Sequence, residues 1–280
     1  KIFLVLILLG SFIGEAHAAK RYWVAAAPGN WNTTANWSAT SGGGGGSSVP
    51  GSSDSVYFDS GGNFKCTIDA AVNVKRFEMT NTFTDTVSQG ANTITIGTSG
   101  GIFSGGVFLG GSSNITLTGA FTISGCAFTS TSATFSTSAN FTISSGSFTH
   151  NSGILTLTAT STFTVSNTGG TTFYNLTFAP TAANATFTIT STTAITVSNK
   201  LSYSGTRTIT LNTGNIHVTG NISTAGNTVT GSGGSGTLTI DGTGSQTITG
   251  NSSGGTSGLP NVTIKKSSGT LSLNSTITVA

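Results

Sequence analysis

The chain has 280 residues, of which 35% are hydrophobic and only 6% are charged, and its formal net charge is +3. Typical soluble domains carry roughly 25% charged residues, so the surface of this protein must consist mainly of hydroxyl and amide groups. The scattered basic residues form no cluster typical of a nucleic-acid-binding protein, and the regular β-branched and aromatic residues argue against a disordered chain.

Residues 1–18 have the pattern of a signal peptide. The first residue is positively charged, and residues 2–13 form an apolar segment too short to span a bilayer. Ala16-His17-Ala18 is a small-x-small cleavage site. A buried core helix is the alternative interpretation of this segment. We expect a secreted or cell-surface protein whose mature chain starts at Ala19 and contains no transmembrane segment.

The next region, residues 19–85, differs in composition from the rest of the chain. It contains all three tryptophans and most of the acidic residues, namely Trp23, Trp31, Trp37, Asp54, Asp59, Asp69, Glu78 and Asp85. A solenoid must close its open end, because exposed apolar surface and unpaired strand edges promote aggregation. We therefore predict that residues 19–85 form a Trp-rich N-terminal cap and the first coils.

From Thr86 to Asn199 the chain contains no Asp, Glu, Lys or Arg, and short apolar segments recur about every 20 to 24 residues. The first apolar series is Ile94, Ile115, Phe135, Leu155, Ile189, Ile209, Val229 and Val262. The second apolar series is Ile195, Ile216, Leu238 and Val262. Such a fixed period is the signature of a solenoid, and the alternation of apolar residues with threonine is that of strands.

The sequence therefore predicts an all-β fold, a single-stranded, right-handed parallel β-helix whose repeats occupy residues 86–280. Stacking successive coils about 4.8 Å apart would bring like charges together, which explains why the outward positions are uncharged. An antiparallel β-sandwich is the alternative, since it also contains short strands at regular spacing. Cys66 and Cys126 lie roughly three coils apart, about 14 Å, so we expect two buried thiols and not a disulfide.

The sequence shows no constellation of catalytic residues. Glycoside hydrolysis needs two carboxylates, and beyond Asp85 the chain has a single acidic residue, Asp241. His150 and His217 have no companion ligands at the spacing of a metal site. We predict no catalytic, cofactor-binding or metal-binding residues, no cofactor and no enzymatic activity.

Two other patterns suggest binding sites. Asp54, Asp59 and Asp69 could bind calcium in the cap, but they match no calcium-loop spacing. Segments such as Thr93-Ile94-Thr95 resemble the flat threonine ladders of some ice-binding solenoids. The variable period of about 20 to 24 residues favours ordinary outward threonines over an ice-binding face.

Several segments together resemble secreted bacterial β-solenoid surface proteins. Residues 30–38 (NWNTTANWS) and 54–59 (DSVYFD) are similar to the tryptophan-rich start of these proteins, and residues 172–178 (TFYNLTF) resemble their recurring FxNLT rung. Residues 244–248 followed by 259–264 look like a second copy of that unit. The family resembles adhesins and autotransporter passengers, which implies a role at the cell surface.

We therefore expect a structural or adhesive rod that works without catalysis. Its expected partners are surface glycans, other cell-surface proteins or copies of itself, and not nucleic acid. The alternatives are a carbohydrate-binding or polysaccharide-degrading β-helix of the pectate-lyase type and an ice-binding threonine ladder. The missing initiator Met and the strand-like residues 276–280 suggest a fragment whose coil continues beyond residue 280.

Overall fold

The computed structural model describes residues 18–227, 233–250 and 258–279. Within these ranges the chain forms β-strands and one short 3-10 helix, Thr34–Asn36. The described part contains no helical segment long and apolar enough to cross a bilayer. Most of the expected signal peptide (residues 1–17) and Val229 of the first apolar series lie outside the described residues.

The strands are short and follow one another closely. The first ten are β1 (Lys20–Trp23), β2 (Gly29–Asn30), β3 (Trp37–Ser38), β4 (Ser55–Phe58), β5 (Cys66–Thr67), β6 (Val72–Val74), β7 (Arg76–Met79), β8 (Thr86–Ser88), β9 (Ile94–Ile96) and β10 (Gly101–Phe103). The next ten are β11 (Val107–Leu109), β12 (Ile115–Leu117), β13 (Phe121–Thr129), β14 (Thr134–Thr137), β15 (Phe141–Thr149), β16 (Ile154–Leu157), β17 (Ser161–Val165), β18 (Thr171–Phe178), β19 (Ala185–Ile189) and β20 (Ile195–Gly205). The remaining described strands are β21 (Ile209–Asn212), β22 (Asn215–Val218), β23 (Asn221–Asn227), β24 (Thr237–Ile240), β25 (Gln246–Thr249), β26 (Gly258–Leu259), β27 (Asn261–Ile264), β28 (Leu271–Asn274) and β29 (Thr278–Val279).

These strands build a β-solenoid of about nine turns with three stacks of strands along its length. The first stack is β1, β4, β7, β10, β13, β15, β17, β19 and β21. The second stack contains β2, β5, β8, β11 and the ends of β13 and β15, then the beginnings of β18 and β20, and β22, β24 and β27. The third stack contains β6, β9, β12, β14 and β16, the ends of β18 and β20, and β23, β25 and β28.

Pairing between described strands is parallel, apart from the short antiparallel pair of β3 with β1 in the cap. The predicted parallel β-helix is thereby confirmed, and the antiparallel sandwich is excluded. The long strands β13, β15, β18 and β20 each turn a corner and contribute to two stacks. Between β15 and β18, the second stack is continued by the rings of Phe148 and Phe173, whose centroids are 5.0 Å apart.

The second apolar series is confirmed in full as one column of equivalent positions. Its members lie in register in the second stack and are Ile195, Ile216, Leu238 and Val262. The first series is confirmed only for four members, which lie in register in the third stack, namely Ile94, Ile115, Phe135 and Leu155. The third stack continues from there through Leu176, Leu201, Ile222 and Ile248.

The assignment of Ile189 and Ile209 to the first series is wrong. Both residues lie in the first stack, where Ile189 pairs with Phe163 and Ile209 pairs with Ala185. One turn takes the chain from Leu155 to Leu176, a step of 21 residues, whereas the step from Leu155 to Ile189 is 34 residues and passes from the third stack into the first. Val262 belongs to the second stack and not to the continuation of the first series.

The interior is filled by aliphatic side chains and by ladders of aromatic rings. Phe108 and Phe128 stack in consecutive turns with centroids 4.6 Å apart, and Phe148 follows at 5.9 Å from Phe128. Each fully buried side chain of this size contributes roughly 1.5–3 kcal/mol by removal of apolar surface from water. In the first stack, Gly101 leaves room for the ring of Phe103, because a Cβ on Gly101 would lie 3.0 Å from that ring.

Asparagine side chains join consecutive turns at the corners where strands begin. Each Oδ1 accepts a hydrogen bond from a backbone N–H one turn further along the chain. The pairs are Asn114 with Thr134 (3.2 Å), Asn140 with Thr162 (2.9 Å), Asn184 with Thr208 (3.0 Å) and Asn221 with Thr247 (2.8 Å). An N–H at the start of a strand otherwise has no partner in the ladder, so these amides complete the backbone hydrogen bonding of the corner.

The cap is an aromatic cluster, as predicted. Trp23, Trp31 and Trp37 are almost completely buried, and Trp37 lies 5.2 Å from Trp23 and 4.7 Å from Trp31 between ring centroids. Two indole N–H groups have partners, because Trp37 donates to the carbonyl of Trp31 and Trp23 donates to that of Phe64. The ring of Phe58 packs against all three tryptophans and links the cluster to the first stack.

Both cysteines are buried and free, as predicted. Cys66 pairs in register with Val87 on the inward side of the second stack. Burial raises the pKa of the Cys126 thiol to about 11, although a hydrogen bond with the backbone of Phe108 opposes the shift. Burial, together with the nearby charge of Asp69, raises the pKa of Cys66 well above its usual value.

Candidate contact surface

The most regular outward feature is a column of hydroxyl groups on the third stack. Its members occupy equivalent positions in successive turns and form what we call the hydroxyl column, namely Thr95, Thr116, Ser136, Thr156, Thr177, Ser202, Ser223 and Thr249. Asn73 precedes the column and Asn274 follows it in the same register. With a strand spacing of about 4.8 Å, the column is about 34 Å long.

Most hydroxyls of the column keep their hydrogen-bonding capacity. The structure gives one hydrogen bond within the column, from Ser136 Oγ to Thr116 Oγ1 at 3.4 Å. In the described ranges, the hydroxyls of the other members donate to no protein atom; these are Thr95, Thr156, Thr177, Ser202, Ser223 and Thr249. The column therefore presents donors and acceptors that are free to contact water or a ligand.

Hydroxyls at the corners behave differently from those of the column. Ser138 Oγ donates to the carbonyl of Thr118 at 3.3 Å, and Thr158 Oγ1 donates to that of Thr137 at 3.1 Å. Thr131 is completely buried and donates to backbone carbonyls of the preceding turn. Corner hydroxyls therefore hold consecutive turns together, whereas those of the column face outward from the strands.

The outward row next to the column is irregular. Its consecutive members in five successive turns are Thr134, Ile154, Asn175, Lys200 and Asn221. Ile154 is partly exposed, and Lys200 is the first charged residue after Asp85. The third stack therefore offers a single regular row of hydroxyls and not a two-dimensional array of threonines.

An uncharged groove of about 320 Å³ lies beside the column, at the corner between the third and first stacks. Residues of the connector 179–184 and of the shorter connector 158–160 of the preceding turn line it. Its lining combines alanine methyl groups with polar side chains, including Thr160, Thr181 and Asn184. Thr160 Oγ1 accepts a backbone hydrogen bond from Thr186, so its own O–H remains available as a donor.

His217 and Asp241, which look isolated in the sequence, meet on the outside of the second stack. Asp241 Oδ2 lies 2.6 Å from His217 Nδ1, and the amide of Asn215 lies 3.2 Å from His217 Nε2. The buried Asp241 Oδ1 has no partner in the described structure. The sequence could have revealed this contact through the predicted register of Ile216 with Leu238. That register places His217 opposite Thr239, and Asp241 lies two residues after Thr239 on the same outward side.

This histidine–carboxylate pair contains a single carboxylate, that of Asp241. A glycosidase needs two carboxylates on opposite sides of a substrate bond, and beyond Asp85 the sequence contains Asp241 alone. His150 lies several turns away on the coil, where its Nδ1 accepts a hydrogen bond from the backbone N–H of Ser152 and its ring stacks on Tyr174. The structure does not bring the two histidines together with further ligands in the described ranges.

The three aspartates considered for calcium binding each accept hydrogen bonds from the backbone of the cap. Asp59 accepts from the N–H of Gly61 at 2.8 Å, and Asp69 accepts from that of Asn32 at 2.9 Å. Asp54 accepts from two backbone N–H groups, described below. No group of three metal-ligating side chains occurs within residues 18–227, 233–250 and 258–279. These carboxylates therefore stabilise turns of the cap.

Comparison of the chain with known protein families, with curated proteins and with solved structures gave no match.

Proposed function

We propose that this chain is a secreted or cell-surface β-helix that acts as a rigid structural or adhesive rod without catalysis. The observation that carries the proposal is the hydroxyl column, an uncharged row of outward groups on a stack of hydrogen-bonded strands. The resemblance of residues 30–38 and 172–178 to bacterial surface solenoids supports the same role. Surface glycans, other cell-surface proteins and copies of this chain are the partners we propose.

The hydroxyl column is suited to binding through many hydrogen bonds, each of which is weak by itself. One hydrogen bond to a neutral group contributes only about 0.5–1.5 kcal/mol, because it replaces a bond to water. Eight equivalent positions along about 34 Å can engage a repetitive partner at several points, which raises the overall avidity. The strands already fix the backbone of each position, so little conformational entropy is lost on contact.

The absence of charge from Thr86 to Asn199 also limits the class of partner. A charged polymer would find no complementary charges along this part of the coil, whereas a neutral glycan or a second hydroxyl-rich face can exchange hydrogen bonds with it. The neutral groove beside the column, with free donors such as the hydroxyl of Thr160, extends the same chemistry.

Retention of beads under flow tests the adhesive role. The purified protein is fixed to a surface, and beads coated with dextran, with mannan or with the protein itself are passed over it. We expect at least one kind of bead to be retained about tenfold more than on heat-unfolded protein, a difference of about 1.4 kcal/mol in binding. Equal retention on folded and unfolded protein with all three kinds of bead contradicts the proposal.

Export is tested separately in a bacterial host. The chain with residues 1–18 in place is expressed, and the cell fractions and the mass of the product are determined. We expect the protein outside the cytoplasm with Ala19 as its first residue. An intracellular product that retains residues 1–18 would contradict the proposed location.

A further inference from the structure

The carboxylate of Asp54 is a buried charge in the cap without a charged partner. Asp54 is only 7% exposed. Its Oδ2 accepts a hydrogen bond from the N–H of Gly51 at 2.9 Å, and its Oδ1 accepts one from the N–H of Ala19 at 3.0 Å. The described ion pairs join Arg76 to Glu78 and His217 to Asp241, and neither includes Asp54. A buried charge without a counter-ion is unfavourable for folding.

The cationic side chains near Asp54 are directed elsewhere. Lys20, the neighbour of Ala19, is exposed, and its Nζ lies 5.7 Å from the ring centroid of Tyr57. Lys75 is exposed, and its backbone N–H, not its ammonium, contacts the carbonyl of Asp54. The guanidinium of Arg76 donates to Glu78 at 2.8 Å. None of these three ammonium or guanidinium groups pairs with the carboxylate of Asp54.

The backbone fixes the nitrogen of Ala19 beside the carboxylate. The carbonyl of Ala19 accepts a hydrogen bond from the N–H of Ser55 at 2.8 Å. The following residue, Lys20, then pairs in register with Ser55 as β1 joins β4. The pairing of β1 with β4 therefore fixes the position of Ala19, and this position places the nitrogen of Ala19 within hydrogen-bond distance of the Asp54 carboxylate.

We infer that removal of residues 1–18 turns the nitrogen of Ala19 into the counter-ion of Asp54. Hydrolysis of the peptide bond between Ala18 and Ala19 consumes one water, leaves the carboxylate on Ala18 and releases the α-amino group of Ala19, which is protonated at neutral pH. The contact between an amide N–H and a carboxylate becomes a charge-assisted hydrogen bond between an ammonium and a carboxylate. Cleavage before Ala19 therefore stabilises the folded cap through this ion pair. The inference rests on the proposed export and cleavage of this chain.

The test compares four proteins in a double-mutant cycle. The chain that begins at Ala19 is prepared with a free or an acetylated N-terminus, in the wild-type background and with Asp54→Asn. Acetylation removes the positive charge but keeps one N–H, and asparagine keeps the acceptor oxygen but removes the negative charge. At pH 6.5 we expect acetylation to lower the Tm of the wild-type background by roughly 2–4 °C and to leave that of Asp54→Asn unchanged.

The pH dependence distinguishes an ion pair from a packing effect. The α-amino group has a usual pKa near 8, so the advantage of the free N-terminus should be present at pH 6.5, where this group is protonated. It should disappear as the group loses its proton at higher pH. The matched control is Asp69→Asn, because Asp69 also accepts a backbone hydrogen bond, from Asn32, but lies away from Ala19 in the hydrogen-bond network. Acetylation should lower the Tm in this control as much as in the wild-type background.

Two results would overturn the inference. One is acetylation that leaves the Tm of the wild-type background unchanged. The other is acetylation that lowers the Tm of the wild-type background and of Asp54→Asn by the same amount.

The proposed export fails independently of these results if the product stays inside the cell and retains residues 1–18, which its mass reveals. In that case the cycle can still be carried out on a chain that is cut before Ala19 by another protease. Failure of export and failure of the ion pair are therefore distinguishable.

Discussion

In the cap, residues 19–85, the tryptophan cluster and the carboxylate contacts are made once, whereas in the coil from residue 86 to residue 199 similar contacts recur from turn to turn. The cap uses three tryptophans and aspartates that accept backbone hydrogen bonds. The coil uses phenylalanine ladders, asparagine bridges between turns and outward hydroxyls. The same strand geometry runs through both regions, since β4 and β7 already lie in the first stack.

The difference shows where charge is compatible with this fold. A carboxylate in the cap contacts backbone N–H groups that have no equivalent in the next turn, so it has no like charge stacked on it. In the coil, every outward position is followed about 4.8 Å away by its equivalent, and like charges there would repel. A single charge, such as that of Lys200 between Asn175 and Asn221, is therefore compatible with the coil, whereas a row of like charges in successive turns is not.

The largest effect should come from opening the aromatic cap. Trp37→Ala removes a completely buried ring that contacts Trp23, Trp31 and Phe58. We expect the free energy of unfolding to fall by about 3–5 kcal/mol, as for other buried aromatic truncations. Denaturant unfolding measures the change. Phe64→Ala is the control, because Phe64 is 41% exposed and its truncation should cost less than about 0.5 kcal/mol.

A smaller loss is expected from adding one methyl group to the core of the coil. In Gly101→Ala the new Cβ would lie 3.0 Å from the ring of Phe103 and 3.3 Å from Leu117. Such overpacking typically costs about 1–3 kcal/mol. The matched control is Gly44→Ala in the cap, where nothing lies within 4 Å of the added atom. Equal free energies of unfolding for the two alanine variants would contradict this prediction, because they would mean that the side chains around Gly101 move to accommodate the added methyl group.

Removing one bridge between turns should have a modest effect. Asn140→Ala eliminates the hydrogen bond from the N–H of Thr162 to Asn140 Oδ1. We expect a loss of about 1 kcal/mol, the usual net contribution of a single neutral hydrogen bond. Hydrogen exchange at the amide of Thr162 is the local readout and should accelerate in the variant. Unchanged exchange would mean that the asparagine does not hold the corner.

Ionisation of the buried Cys126 thiol should lower the stability of the fold only in alkaline solution. The usual thiol pKa of 9.0 is raised to about 11 for Cys126 in the folded protein. The unfolded chain therefore loses its thiol proton at a lower pH than the folded chain does. This contribution to stability is full below about pH 9 and is lost as the pH rises toward 11. Below about pH 9 the difference in Tm between the wild type and Cys126→Ala should stay constant, and from pH 9 toward 11 the Tm of the wild type should fall relative to that of Cys126→Ala.

Much of the fold can be predicted from the sequence, because the register of a β-helix follows from the number of residues between equivalent apolar positions. The series Ile195, Ile216, Leu238 and Val262 is sufficient to place four turns of the second stack. The same counting puts Ile189 and Ile209 in the wrong stack, because all three faces share the alternation of apolar residues and threonine. Only the lengths of the corners distinguish the faces, and the sequence does not mark where the connector 179–184 begins and ends.

The surface is less predictable than the core. The sequence predicts outward threonines, but it does not separate column hydroxyls such as that of Thr156 from corner hydroxyls such as that of Thr158, which bonds to a carbonyl. The contact between His217 and Asp241 is not predicted from the sequence, since the two residues are distant in the chain and come together only because consecutive turns stack. The antiparallel strand β3 in the cap has no repeat from which it could be inferred.

The central claim, that the hydroxyl column is the contact surface, is tested most directly by two matched pairs of lysine substitutions. Thr116→Lys with Thr156→Lys places charges two turns apart on the column, and Thr122→Lys with Thr164→Lys places them two turns apart on the first stack. Retention of beads under flow is measured for both folded proteins. We predict a loss of about tenfold for the column pair and unchanged retention for the first-stack pair. Equal retention by the two proteins would contradict the claim.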